Sequence, residues 1–143
     1  MTRIGAVIDA DGTLDVMLDT TIKELAQGKN FGTISVVLPN GQISTNVMWV
    51  DADDDHLLLN TEVHRAKFKA LEANPQVTVV VWDAENPYHY GEVRGRVVDT
   101  VTGPTAREHA DALSRRYTGK DYAAPIVSER VILKIAPERQ RVK

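Results

Sequence analysis

The sequence predicts an α+β fold that is mainly β, an antiparallel barrel or sandwich of about six strands with two or three helices. Two observations carry that prediction. Short β-branched runs recur along the chain and are bounded by Gly, Pro, Asn and Asp. Few stretches show helical spacing, and most of the strand-like runs are joined as hairpins rather than through crossover helices. A chain of 143 residues buries roughly two-thirds of its unfolded surface in one core, so a single domain is expected over residues 1–143. Residues 1–30 read as an N-terminal extension with a short helix, and residues 31–143 as the barrel core.

Taken in order, Thr21 and Glu24 have capping-box spacing, which predicts a helix over 20–27 that stops at Gly28. The run FGTISVVL, Phe31 to Leu38, and the run QISTNVMWV flank Pro39-Asn40-Gly41 and predict a hairpin with an Asn-Gly tip. In its second strand Ile43, Thr45, Val47 and Trp49 share one face, and Ser44, Asn46 and Met48 share the other. The acidic turn Asp51 to Asp55 leads to a strand, HLLLN. A helix then follows over TEVHRAKFKALEANP, with Thr61 as cap, Glu62 in the first turn and Asn74-Pro75 as stop. Residues 76–83, QVTVVVWD, are nearly all apolar and predict a strand buried on both faces. YHYGEVRGRVVD predicts a long strand in which Gly91 and Gly95 mark bulges or close approaches. Pro104 opens a helix with Ala106, Ala110, Leu113 and Tyr117 on one face, closed by Gly119, and RVILKIAP is the last strand.

The chain has no cysteine, which removes disulfides, thiolate metal sites and thiol nucleophiles. The N-terminus lacks an uninterrupted apolar region, and no segment reaches bilayer length. A cytoplasmic protein without a membrane partner is therefore expected. Residues 1–60 hold 3 basic and 9 acidic residues, and residues 61–143 hold 14 and 11. This asymmetry points to a basic site for an anionic ligand in the second half. The pI near 5.8 argues against nucleic acid as partner.

Three groups of residues bear on chemistry. Asn60 and Thr61, followed by His64, Arg65 and Lys67, stand at a strand–helix junction where a hydroxyl, two cations and free N–H groups suit phosphate; the same basic pattern also describes a solvated helix face. Of the aromatics Trp49, Trp82, Tyr88 and Tyr90, the two tryptophans are either core residues or the wall of a cleft for a flat ligand, while Tyr88 and Tyr90 share one strand face with Glu92 and read as an edge or a subunit interface. The histidines His56, His64, His89 and His109 have no metal-ligand spacing, and His109 reads as surface or helix packing. Asp9-Ala10-Asp11-Gly12 opens like a calcium loop, but Leu14 and Met17 do not continue the oxygen ligands. No metal site is expected, and no G-x-S-x-G elbow or phosphate-cradling glycine loop occurs.

Three segments together resemble one family: NGQISTNVMWV; LLLNTEVHRAKFKALEANPQVTVVV; and DAENPYHYGEVRGRVVD with HADALSRRYTGKDY and ERVILKIAPER behind it. They resemble the split β-barrel flavin and deazaflavin oxidoreductases related to pyridoxamine 5′-phosphate oxidase, and within them the branch that uses coenzyme F-420. The likeness runs from Phe31 to Lys143, roughly four-fifths of the chain. The resemblance implies an FMN-binding-type split barrel, a homodimer with the cofactor in an interface groove, and an R-x-K segment that holds its phosphate.

By position, Arg65 and Lys67 would then hold the phosphate, and Asn60 and Thr61 would add hydrogen bonds. Asn46, Val47 and Met48 would lie along the ring, and Trp82, Pro87 and Tyr88 near the cofactor or substrate pocket, from the second subunit in one arrangement. His64 joins the cofactor-binding set as the neighbour of Arg65, at a position where the family has no fixed residue, and the first 30 residues depart from the family's usual helical start. The implied activity is hydride transfer from reduced F-420 to a small conjugated substrate, with no dedicated catalytic residue identified. The alternatives are an FMN-dependent oxidoreductase and a cofactor-binding protein without turnover.

Overall fold

The computed structural model describes residues 6–8 and 14–143. The Asp9–Gly12 segment lies outside the described residues. β1 (Ala6–Ile8) and β2 (Leu14–Val16) form a two-stranded antiparallel ribbon, and α1 (Thr20–Gln27) follows. The main sheet is built from β3 (Phe31–Val37), β4 (Ile43–Trp49), β5 (Asp51–Ala52), β6 (Leu57–Glu62), β7 (Gln76–Asp83), β8 (Asn86–Val101) and β9 (Arg130–Val142). α2 (Ala66–Ala73) joins β6 to β7, and α3 (Pro104–Thr118) precedes β9. The strand order is β4-β3-β7-β8-β9-β6-β5, and neighbouring strands run antiparallel. β4 and β6 are separated by four strands in that order, yet their Cα atoms approach within 8 Å. The sheet therefore curls into a half-barrel, the split-barrel architecture, with seven main-sheet strands among the described residues where about six were expected.

Inside the curl, Ile34, Val36, Leu57, Leu59, Val77, Val79, Val81, Val93, Leu133 and Ile135 form the core with Ile22 and Ala26 of α1 and Leu71 of α2. The period-2 alternation expected of half-covered strands is visible in β7. Val77, Val79 and Val81 are buried, while Thr78 and Val80 are half-exposed, so this strand is not buried on both faces. The apolar run arises because β-branched residues occupy the outer face as well.

α1 has the expected bounds and ends at Gly28, but Asp19 caps it rather than Thr21. Its carboxylate accepts from the Thr21 and Ile22 N–H groups at 2.8 and 3.2 Å. α3 also has the expected bounds, and Gly119 ends it in the left-handed region at φ 81°. The helix after β6 differs. Thr61 and Glu62 remain in β6, paired with Val131 and Arg130 of β9, and the helix begins only at Ala66 with Arg65 as its N-cap. Sheet pairing and burial of both side chains hold this segment extended, so Thr61 caps nothing. β9 continues past Pro137 to Val142. The two predicted glycine positions in β8 are close approaches. A Cβ on Gly91 would stand 2.4 Å from Ile22 Cγ1, and one on Gly95 would stand 2.1 Å from the Ala136 carbonyl oxygen at a register shift.

Candidate functional site

The curl brings the C-terminal ends of β4 and β6 beside the start of α2, the flank of α3 and the start of β9. A cavity of about 390 Å³ lies between them, lined by Phe31, Val47, Met48, Trp49, Asn60, Thr61, Arg65, Lys67, Ala110, Leu113, Tyr122 and Arg130. One side is cationic. Arg65 is exposed, Lys67 and Arg130 are half-buried, and Lys67 Nζ lies 3.3 Å from Met48 Sδ. Burial holds the Lys67 ammonium below the ordinary lysine value, and repulsion from Arg65 and Arg130 adds to it. Three cations thus face one cavity without a carboxylate among its described lining residues.

A neighbouring carboxylate, Glu62, is 2% exposed and turned toward backbone. It accepts from the Val127 and Ser128 N–H groups at 2.8 and 2.7 Å and stands 3.8 Å from Arg130 Nη1. Its burial raises the carboxyl pKa, but the Ser128 and Val127 N–H groups, helped by His64 and Arg130, outweigh that and hold it below the usual range. Glu62 therefore stays ionised and fixes the 127–128 backbone, leaving most of the cationic side uncompensated.

The other side of the cavity is aromatic. Trp49 stacks on Tyr117 with ring centroids 5.1 Å apart and planes 4° from parallel, and Tyr122 meets Trp49 edge-on at 6.4 Å. Phe31 packs on Tyr117 at 5.7 Å. The Arg130 guanidinium lies 4.8 Å over the Tyr122 ring, linking the two sides. A planar ring bearing an anionic tail matches this division.

Of the residues singled out from sequence, Val47, Met48, Asn60, Thr61, Arg65 and Lys67 line the cavity. Asn46, His64, Trp82, Pro87 and Tyr88 do not. Asn46 is exposed on edge strand β4, and His64 points to Ser128, with Nδ1 2.6 Å from its hydroxyl. Trp82 packs against Phe31 at 6.4 Å, while Pro87 and Tyr88 are exposed at the start of β8. Sequence reasoning did not single out Phe31, Tyr122 and Arg130 as site residues. The signals were present, since Tyr122 ends the YTGKDY run and Arg130 opens the last strand, but only the curl shows that they face Arg65. His109 is not mere surface packing: its Nε2 lies 2.9 Å from Asp51 Oδ2 and its Nδ1 3.0 Å from Asn60 Nδ2.

The sequence matches the family model described as pyridoxamine 5′-phosphate oxidase over residues 18–143. The chain belongs to the pyridoxamine 5′-phosphate oxidase family. The match starts before α1, so the matched region includes this helix. Among solved structures, an F-420 reductase is 32% identical with TM-score 0.72, the likeness covering 83% of this chain and 94% of that one. A conserved hypothetical protein from Mycobacterium tuberculosis is 23% identical with TM-score 0.69, covering 95% and 88%. General Stress Protein 26 from Bacillus anthracis is 22% identical with TM-score 0.63, covering 85% and 90%. The last two show the shared fold alone. No curated protein matches the sequence. Among the described residues of this family member, no helix is long and apolar enough to cross a membrane.

Proposed function

We propose that the protein is a coenzyme F-420-dependent reductase that transfers hydride to a small conjugated substrate and works as a homodimer. The observation that carries this reading is the convergence of Arg65, Lys67 and Arg130 opposite Trp49 and Tyr122 in one cavity. The F-420 reductase at 32% identity supports the choice of cofactor. The residues fit the group. Cations meet the phosphate, Arg130 spans from that side to the aromatic wall, and Val47 and Met48 flank the place left for a flat ring.

When bound, the reduced deazaflavin supplies the hydride. The protein's part is to bind, orient and exclude water. Arg65, Lys67 and Arg130 would hold the phosphate, and Thr61, buried at the cavity edge, would offer its hydroxyl. Asn60 acts differently from a direct phosphate donor, because Ala106, His109 and Arg130 occupy its side chain. The homodimer is supported by β4, an edge strand on which Ile43 and Val47 are 71% and 65% exposed, adjoining the cavity. A second copy covering β4 would close that side over the ring and bring in further lining residues; Pro87 and Tyr88 are exposed and open to such a role.

The test is titration of the purified protein with F-420 and, separately, FMN, followed by a reductase assay. Tight F-420 binding with turnover supports the proposal. Preference for FMN moves the protein to the FMN-dependent branch, and tight binding without turnover makes it a carrier or sensor. Replacing Arg65 and Lys67 together with alanine should weaken cofactor binding roughly a hundredfold or more, since charged hydrogen bonds contribute about 1.5–3 kcal/mol each. Unchanged affinity would remove the phosphate assignment.

A further inference from the structure

Asn60 is 7% exposed on β6, and every polar atom of its side chain has a partner. Nδ2 donates to the Ala106 carbonyl at 2.9 Å and lies 3.0 Å from His109 Nδ1, while Oδ1 accepts from Arg130 Nε at 2.8 Å. An amide NH₂ has two hydrogens and no acceptor, so with one on Ala106 the other goes to His109 Nδ1, which must accept. The imidazole hydrogen then sits on Nε2 and is donated to Asp51 Oδ2 at 2.9 Å. Asp51 Oδ1 takes Arg116 Nη2 at 2.8 Å. Flipping the amide would set NH₂ against Arg130 Nε–H and oxygen against the Ala106 carbonyl, so the order of the chain admits one direction.

That direction matters for Arg130. Its competing acceptor is the buried Glu62 carboxylate, now 3.8 Å from Nη1, with the Tyr122 hydroxyl at 3.5 Å. The Asn60 oxygen at Nε is thus the contact that opposes a closer approach of the guanidinium to Glu62, already its ion-pair partner at 3.8 Å. We infer that His109 and Asn60 are positioning residues, anchored by Asp51, that hold Arg130 off Glu62 and aim it at the ligand's anionic group. This rests on the anion-site reading above and extends it from the residues that touch the ligand to the ones that orient them.

Two probe pairs separate the roles: FMN against riboflavin, and F-420 against its phosphate-free deazaflavin nucleoside. The ring is common within each pair, so the affinity ratio reports the phosphate contacts. Wild type should prefer the phosphate-bearing member; absence of preference would remove the anion-site reading before any variant is made, and this inference with it. In His109→Phe the preference should fall roughly tenfold while affinity for the phosphate-free member stays unchanged. His109→Asn places an oxygen near the Nδ1 position and should restore most of the preference. His109→Gln keeps a donor toward Asp51 but no acceptor for Asn60, and should behave like His109→Phe; it also serves if the phenylalanine variant does not fold. Intact preference in a folded His109→Phe or His109→Gln protein overturns the inference. So does equal weakening of both members of a pair, which would mark His109 as structural only.

Discussion

Lys67 shows how a single residue's titration reports the site. Its ammonium is disfavoured by burial and by Arg65 and Arg130, so its pKa lies below the ordinary lysine value of about 10.4. Between the two values the unfolded chain binds more protons, and stability rises with pH there. An anion in the cavity relieves the repulsion and raises the Lys67 pKa again, so binding takes up a proton in that interval. Affinity for a phosphate-bearing ligand should fall as pH climbs through the folded Lys67 value, earlier than for an ordinary lysine, and should be flat in Lys67→Arg. Calorimetric titration in two buffers of different ionisation enthalpy checks this, and zero proton uptake across the alkaline range would contradict it. Glu62 has the opposite sign. Its pKa is lowered despite burial, so its contribution is present above the ordinary glutamate value of about 4.3 and disappears as pH falls through the folded value. Glu62→Gln should cost about 1–3 kcal/mol in urea unfolding at neutral pH and much less in acid. An equal loss at both pH values would mean that shape, not charge, holds the 127–128 backbone.

Among the elements, α1 illustrates how a helix is chosen by its ends and seated by a neighbour. Asp19 caps it, and Gln140 of β9 secures the segment before it by accepting from the Asp19 N–H and donating to the Met17 carbonyl, each at 2.7 Å. Ile22 then packs directly on Gly91, where a Cβ would stand 2.4 Å from Ile22 Cγ1. Gly91→Ala should lower stability by about 1–3 kcal/mol, and adding Ile22→Ala should show strong favourable coupling, because the second truncation removes the clashing atom. A thermal-unfolding cycle measures this, and additive losses would mean the helix shifts to accommodate the methyl. The segment 61–65 teaches the complementary lesson. Thr61 and Glu62 suit a helix start by composition, but pairing with β9 keeps them in strand. The helix consequently begins one turn later, with Arg65 at its N-cap and Lys67 in its first turn, and both line the cavity.

At the scale of the whole molecule, the curl of a seven-stranded sheet makes the site by bringing β4 near β6. It also leaves β4 as an edge with apolar side chains in water. The proposed homodimer predicts that the chain sediments as two copies, and that Ile43→Lys shifts it toward one copy with weaker ring binding. Sedimentation of the wild type as a single copy at micromolar concentration would exclude the shared site. Of the cavity-lining residues, Met48, Thr61, Arg65 and Lys67 were legible because each lies in a short segment with its own recognisable pattern. Arg130 and the Asp51–His109–Asn60 connection were not, since the hydrogen bonds that join them span 49 to 70 residues; Tyr122 was not, since its place in the cavity comes from meeting Trp49 across the fold.

Local chemistry by itself determined the order of the six longer main-sheet strands and the three helices, though not the short β1, β2 and β5, together with the stops at Gly28 and Gly119, the hairpin tip and the basic segment, because turn preferences and side-chain periodicity act over a few residues. Only the tertiary structure decided where that basic segment starts its helix, which cation joins it, and which way the Asn60 amide points. Those outcomes depend on sheet register and on pairing every buried donor with an acceptor, and both are properties of strands far apart in the chain.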